Sequence, residues 1–329
     1  MFNYYPLTEE NSKIDIDPVE LVNVEQLLTE IEQLGGFSED FSRASLTNWN
    51  KALRKATGNE LSLALKLAGP EKESHQIIFN TEGLINEFAS LKTIKDIELF
   101  SLKYGLLGVK PPDSEQVNSP YLSVQATIQP SYIFNDYGFS VLEPIELWLW
   151  HIDEVRKILK LYDVVRKDSS EDRVNQIIEI KINNQYSNYL DEDRESMDYF
   201  VHWTAGKAVI RLPKEISEKT LLEIGQYTLS KILESRIAGG VNLGTGGLVR
   251  NPSTKGFKVI ERRYTHYLLA AIYYDLWQNI NDDKNIYICG NKNCGSPFIK
   301  SGRKKYCNEA CKQEAYRIRL EEKKGRDNL

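Results

Sequence analysis

All four cysteines of the 329-residue chain lie within a stretch of 23 residues near its C-terminal end. They form two close pairs, Cys289 with Cys294 and Cys307 with Cys311, in the spacing C-x4-C-x12-C-x3-C. Zinc prefers four ligands in a tetrahedron, and two separated pairs of thiolates can reach one ion from two sides. The spacing therefore predicts a Zn²⁺ site with these four cysteines as its ligands.

Histidine is the other common zinc ligand, but the four histidines lie elsewhere in the chain, at His75, His151, His202 and His266. We therefore expect a site of four thiolates, which is typical of structural zinc and leaves no position for a catalytic water. Two alternatives are a chance cluster of unpaired thiols and an iron–sulfur cluster. The usual iron–sulfur spacings differ from this one, and the two-pair pattern is more specific than a chance cluster.

Lysine and arginine are concentrated around the cysteine pairs. Residues 285–329 hold 11 Lys and Arg against 5 Asp and Glu, a net charge of +6. Residues 1–284 hold 31 against 42, a net charge of −11. Because the acidic part repels polyanions, a partner such as nucleic acid would be contacted only through the basic C-terminal segment.

The residues that follow Cys307 are predicted to form a helix, with Cys311 one turn inside it. Ala315 and Ile318 share the side of Cys311, whereas most basic residues lie on the other faces. We expect this basic surface to bind nucleic acid, DNA more than RNA, through phosphate and base-edge contacts and one stacking ring. The candidate residues are Lys304, Lys305, Lys312, Arg317 and Arg319, with Tyr316 as the stacking residue.

The rest of the chain would then sense a signal or form a homo-oligomer, and the whole would act as a DNA-binding regulator. Two other roles remain open for the basic surface. It could dock a protein partner, with the zinc purely structural, or it could only stabilise the C-terminal end of the chain.

The segment around the cysteines resembles the treble-clef finger of the bacterial CGNR-type zinc-finger proteins, a family of transcription regulators with an N-terminal ABATE domain. The resemblance rests on Phe298, Arg303, Tyr306-Cys307-Asn308, Cys311-Lys312, Ala315-Tyr316-Arg317 and Arg319. It is clear over about the last 70 residues and weaker upstream, at residues 100–108 and 143–166. The first pair is wider than the usual knuckle, and the family's Cys-Gly-Asn-Arg signature is Cys311-Lys312-Gln313-Glu314 here.

Apolar residues recur at helical spacing in most long segments, which predicts helices over residues 18–34, 82–104 in one or two pieces, 143–166, 218–237 and 260–280. Strands are predicted only for residues 76–79 and 208–212. We therefore expect a mainly α protein with a few short strands, in which a helical body precedes a treble-clef-like finger. The predicted regions are 1–110 and 120–284, which could form one continuous domain, and the finger at 285–329.

Other motifs give no positive evidence for catalysis, so we expect a binding protein. An enzyme site in the helical body, with His202 or His266 beside carboxylates, remains a weaker alternative. The glycine-rich residues 239–247 (GGVNLGTGG) lack the lysine of a phosphate loop, which favours a mobile connector. The charged residues 191–196 (DEDRES) indicate a solvated loop, and His151 and His202, each beside a tryptophan, are isolated. The chain has no apolar run of membrane-spanning length and no secretory signal, so we expect a cytoplasmic location with reduced thiols.

Overall fold

A computed structural model describes most of the chain, at residues 4–7, 12–33, 63–68, 71–109, 122–123, 142–166, 174–183, 198–203, 208–238, 240–250, 257–282, 284, 286–291, 293–294, 296–299 and 302–327. Among these residues 48% are helical and 27% lie in strands, in five small sheets. The predicted fold class, mainly α with a few short strands, is therefore wrong, and the protein is mixed α/β.

Within the described ranges the chain forms eight helices. They are α1 (Val24–Gln33), α2 (Leu84–Ala89), α3 (Ile94–Tyr104), α4 (Ile145–Val165), α5 (Lys214–Ser217), α6 (Leu221–Ile237), α7 (Leu268–Asn281) and α8 (Glu309–Asp327). The helical prediction over residues 82–104, made for one or two pieces, is confirmed, and the structure has two pieces, α2 and α3. The helices predicted over 143–166 and 218–237 are confirmed as α4 and α6.

The strands of the described residues are short. They are β1 (Tyr5–Pro6), β2 (Ser12–Ile16), β3 (Val19–Asn23), β4 (Leu63–Leu67), β5 (His75–Phe79), β6 (Leu122–Ser123), β7 (Leu142–Pro144), β8 (Ile178–Asn183), β9 (Asp198–Trp203), β10 (Ala208–Leu212), β11 (Asn242–Arg250), β12 (Phe257–Thr265), β13 (Ile286–Ile288) and β14 (Pro297–Ile299). The sheet orders are β1-β12-β11, β6-β10-β9-β8, β13-β14, β2-β5 and β3-β4-β7. The strands predicted at 76–79 and 208–212 are confirmed as β5 and β10.

Two segments predicted as single helices each contain a strand followed by a helix. In residues 18–34, the side chain of Asn23 accepts hydrogen bonds from the amides of Glu25 and Gln26, at 3.0 and 3.2 Å. This cap begins α1 and ends β3. In residues 260–280, the Thr265 hydroxyl accepts a hydrogen bond from the Tyr267 amide at 3.3 Å, in a turn that separates β12 from α7.

The chain forms two compact units, each assembled from separate stretches. The first comprises Met1–Pro120, Gln125–His151 and Leu233–Trp277. Its core contains packed aromatic rings, in which Phe88 lies 5.6 Å from Phe100 and 6.1 Å from Trp148, between ring centroids.

A buried carboxylate stabilises one turn of this first unit. Glu143 accepts hydrogen bonds from the amides of Leu107 and Gly108, at 2.9 and 2.7 Å, and from the Trp148 indole at 2.9 Å. Burial raises the pKa of Glu143 to about 7, although these hydrogen bonds oppose the change.

The second unit comprises Tyr121–Val124, Ile152–Ile232 and Gln278–Leu329, and it contains all four cysteines. Gly225 on α6 lies so close to α4 that an added Cβ would be 2.7 Å from the Val165 side chain. A glycine is needed at this position because the two helices approach so closely. The region predicted at residues 285–329, here called the finger, is the C-terminal part of this unit.

Candidate metal centre and basic groove

The cysteines are placed by a two-stranded hairpin and the start of a helix. Strands β13 and β14 pair antiparallel, with Ile288 opposite Pro297. Cys289 directly follows β13, and its amide donates to the Ser296 carbonyl at 2.9 Å across the hairpin. Cys294 lies in the turn between the strands, whereas Cys307 and Cys311 flank the start of α8.

The four sulfur atoms all lie within 4.8 Å of one another, and together they could hold a metal ion. Cys307 Sγ lies 3.4 Å from Cys311 Sγ and 3.7 Å from Cys294 Sγ. Four thiolates at about 2.3 Å from one tetrahedral zinc ion would stand about 3.8 Å apart. The sulfur positions therefore fit a single ion of this size.

The same distances count against an iron–sulfur cluster, since several irons and sulfides would have to lie among the thiolates. They also show that the thiols do not form disulfides, whose sulfur atoms are bonded at about 2.05 Å. All four cysteines are free. Three of them are buried, and Cys307 is half-buried.

The thiols strongly influence one another's ionisation. Burial raises the pKa of the Cys294 thiol, but hydrogen bonds from Ser296, Cys311 and Cys307 outweigh burial and lower it to about 6. Burial and the neighbouring thiols raise the pKa of Cys307. Burial, with contributions from Cys294 and Cys289, also raises the pKa of Cys311. Four thiolates would therefore need a compensating cation at neutral pH.

Backbone hydrogen bonds join the cysteine pairs to the helix. The side chain of Asn308 accepts a hydrogen bond from the Cys311 amide at 2.8 Å, which is the geometry of a helix N-cap. The amide of Cys307 points at Cys289 Sγ at 3.5 Å. These contacts orient both pairs toward one point, and the N-terminus of α8 favours negative charge there.

A carboxylate on α8 fixes the turn that carries the first cysteine pair. Glu314 accepts hydrogen bonds from the side-chain amides of Asn291 and Asn293, at 2.8 and 3.0 Å. In the sequence, Glu314 stood out only as part of the tetrapeptide that departs from the family signature. The structure gives it a positioning role toward the metal centre.

Gly290 brings the first pair close to the segment before α8. Its amide donates to the Lys305 carbonyl at 2.9 Å, and an added Cβ would lie 3.0 Å from that oxygen and 3.4 Å from the Tyr306 ring. Tyr306 also packs against the buried cysteines. The metal centre therefore positions Lys305 and Tyr306.

The hairpin of the finger is anchored to α4 within the second unit. The Tyr162 hydroxyl donates to the Lys284 carbonyl at 3.0 Å, just before β13. The Arg166 guanidinium lies 4.1 Å from the centroid of the Tyr287 ring. These contacts hold the finger by cation–π and hydrogen-bond interactions.

An open groove lies beside the metal centre, between α8 and the segment that precedes it. Its volume is about 540 Å³. Basic and aromatic side chains dominate its lining: Lys305, Tyr306, Lys312, Tyr316, Arg317 and Arg319. We call this feature the basic groove.

Five of the six residues predicted to contact nucleic acid thus line one groove. The sixth, Lys304, is exposed just before it. Lys312 is exposed and forms an ion pair with Glu309 at 3.0 Å. Arg319 donates from Nε to the Ala315 carbonyl and from Nη2 to the Tyr306 hydroxyl, both at 3.1 Å.

Three groove residues were not among the predicted contacts, namely Tyr306, Glu309 and Gln313. Glu309 and Gln313 lie on the same helical face as Lys312 and Tyr316, at the three- and four-residue spacing that a helical wheel shows. Tyr306 precedes the helix, and only the fold of the loop brings it to the groove.

The other sequence candidates lie outside this site. Residues 242–247 of the glycine-rich stretch belong to β11, which pairs with β12, so the predicted mobile connector is wrong for these residues. His151 is buried in α4 and His202 is half-buried in β9. Residues 191–196 lie outside the described residues.

No helix in the described part of the chain combines the length and hydrophobicity that a membrane span requires.

No family model, curated protein or solved structure matches the chain. The resemblance to the CGNR-type finger therefore stays a prediction.

Proposed function

We propose that the protein binds one structural zinc ion through Cys289, Cys294, Cys307 and Cys311, and that it binds nucleic acid through the adjacent basic groove. The observation that carries this proposal is the position of the groove. One of its walls, at Lys305 and Tyr306, is held by the loop of the metal site, and the helix that forms the other wall supplies Cys311.

Zinc is the ion that the donor set supports best. Four thiolates are soft ligands in a compact arrangement, which suits tetrahedral Zn²⁺ better than the oxygen-preferring ions Mg²⁺ and Ca²⁺. When bound, the ion would supply the positive charge that four thiolates require. Its role would be structural, since cysteine fills all four positions.

Nucleic acid is favoured over a protein partner because the cations are accessible. Lys312 and Arg319 are exposed, and their hydrogen bonds are to other residues of the finger. Lysine and arginine in this setting are typical of phosphate contact. The resemblance to the CGNR-type proteins supports DNA over RNA and a regulatory role, which are part of the same proposal.

Binding of the zinc-loaded full chain to labelled mixed-sequence DNA and RNA, at about 50 and about 200 mM salt, tests this function. Neutralisation of three phosphates would weaken binding between the two salt concentrations by about 40-fold for a duplex and about 20-fold for a single strand. The test variant is Lys312→Gln/Arg317→Gln, in the groove. The matched control is Lys72→Gln/Lys95→Gln, which removes two exposed positive charges from the first unit.

We expect the groove variant to lose at least about tenfold in affinity and the control to bind like the wild type. Metal content and far-UV circular dichroism establish that both variants are folded. If the folded, metal-loaded wild type binds neither DNA nor RNA at the lower salt concentration, the nucleic-acid proposal fails and a protein partner becomes the better hypothesis.

A further inference from the structure

The concave shape of the basic groove bears on which form of nucleic acid it suits. A helix that reads duplex DNA projects into a major groove about 12 Å wide. Here the face of α8 that carries Lys312 and Tyr316 is walled by Lys305 and Tyr306. The contacts available in this groove therefore lie on both sides of the helix face that would approach the ligand, and a single strand can reach both.

The two tyrosine rings of the groove differ in their surroundings. Tyr306 is half-buried against the cysteines, and Arg319 holds its hydroxyl. Tyr316 is 59% exposed, so its ring is accessible to a ligand. An exposed ring of this kind can stack on a base only if the base is unpaired, because both faces of a base inside a duplex are covered by its neighbours.

The other side chains of the groove can supply the phosphate contacts and base-edge hydrogen bonds that a bound nucleotide would need. Lys305 and Arg317 are exposed and line the same groove as Tyr316, so both are available for phosphate contact. Gln313 can both donate and accept hydrogen bonds, and Glu309 can accept one from an exocyclic amino group. Stacking, phosphate contact and base-edge contact are thus available within one groove.

We propose that the basic groove binds single-stranded nucleic acid, with one unpaired base stacked on Tyr316 and the adjoining phosphates contacted by Lys305, Lys312 and Arg317. This inference rests on the proposed nucleic-acid function and narrows its substrate class to single strands.

The test uses the zinc-loaded full chain and a thymine strand of about 15 nucleotides, long enough for one site, with 2-aminopurine at its centre. The strand is presented alone or paired with its complement, at the same salt concentration. Affinity is measured by fluorescence anisotropy, and stacking by the quenching of 2-aminopurine fluorescence. The variants are Tyr316→Leu, which removes the aromatic face, and Tyr316→Phe, which keeps it.

We expect the single strand to bind at least about tenfold more tightly than the duplex. Tyr316→Leu should weaken single-strand binding by about tenfold and abolish the quenching, whereas Tyr316→Phe should preserve both. Tyr316 is exposed, so both variants should fold, and their metal content checks this.

Two results would overturn the inference and leave the proposed function standing. One is duplex binding that equals or exceeds single-strand binding, and the other is identical behaviour of the leucine and phenylalanine variants. Failure to bind either form would instead refute the proposed function, and the single-strand inference with it.

Discussion

The properties of single residues at the metal centre come from their neighbours as much as from their own chemistry. Cys294 has a lowered pKa because hydrogen bonds from Ser296 and the other thiols outweigh burial, whereas Cys307 and Cys311 have raised pKa values. The identity of the candidate ligands was available from sequence, since their spacing is local. Their unequal ionisation was not, because it depends on which sulfur atoms come together in the fold.

Glu143 gives a test of stability at the same scale. Its pKa is raised from 4.5 to about 7 by burial, so between these two values the folded protein binds more protons than the unfolded protein. The free energy of unfolding should therefore fall as pH rises through this window. Between about pH 5 and about pH 8, ionisation of this carboxyl alone should lower the free energy of unfolding by on the order of 2 kcal/mol.

Glu143→Gln cannot ionise and should lose this contribution to the pH dependence. It should also be less stable at low pH, because its amide NH₂ would face amide and indole donors that now contact the carboxyl. Urea unfolding of both proteins across the same pH window measures the difference, with exposed Glu71→Gln as the control. Parallel pH profiles for wild type and Glu143→Gln would contradict the prediction.

At the scale of secondary-structure elements, α8 depends on its N-cap for the position of Cys311. Replacing Asn308 by alanine removes the side-chain acceptor for the Cys311 amide and should lower the stability of the folded helix by about 1 kcal/mol. If zinc binding depends on this geometry, zinc affinity should fall about fivefold. Serine is an equally good N-cap, so Asn308→Ser should retain most of the affinity.

Competition with a chromophoric chelator gives both zinc affinities directly. The cap would have no part in the metal centre if Asn308→Ala and Asn308→Ser bound zinc equally tightly.

The helices that carry long apolar stripes were predictable, and several strands were not. Residues 143–166 have a broad stripe and form α4, because burial of one helical face is visible in local sequence. Residues 260–265 of β12 were included in a predicted helix, since the partners β1 and β11 are not visible in the sequence of β12. Strand preference depends strongly on such context, whereas the helical pattern does not.

The same distinction holds for the basic groove. The cations of α8 could be found because they recur along one helix, and Tyr316 lies among them. Tyr306 and the Glu314 contacts to Asn291 and Asn293 require the hairpin and the helix to meet, which composition and periodicity do not show.

At the scale of the whole molecule, each compact unit contains stretches from different parts of the chain. The local composition of a stretch does not show which distant stretch it will pack against. The charge asymmetry, in contrast, could be predicted from the sequence, because it requires only a count of the charged residues in each part of the chain. Under the proposed function, it predicts that nucleic acid would approach the finger and be repelled by the acidic remainder.

Metal removal should therefore affect the two units unequally. All four cysteines lie in the second unit, so a bound zinc ion would stabilise first of all the fold of that unit. At a free zinc concentration about 100 times Kd, the ion would stabilise the folded finger by about 2.7 kcal/mol, and a strong chelator would remove this contribution.

Hydrogen-exchange mass spectrometry with and without chelator can resolve this difference. Peptides from β13, β14 and α8 should lose protection, whereas those from α2 and α3 in the first unit should keep theirs. Nucleic-acid binding should disappear together with finger protection, since the loop of the metal site holds the Lys305 and Tyr306 wall of the groove. Restored protection and binding after zinc is added back would exclude irreversible damage. Unchanged finger protection would show that metal occupancy does not control the finger. An equal loss in both units would show that the effect of the metal is not confined to the second unit.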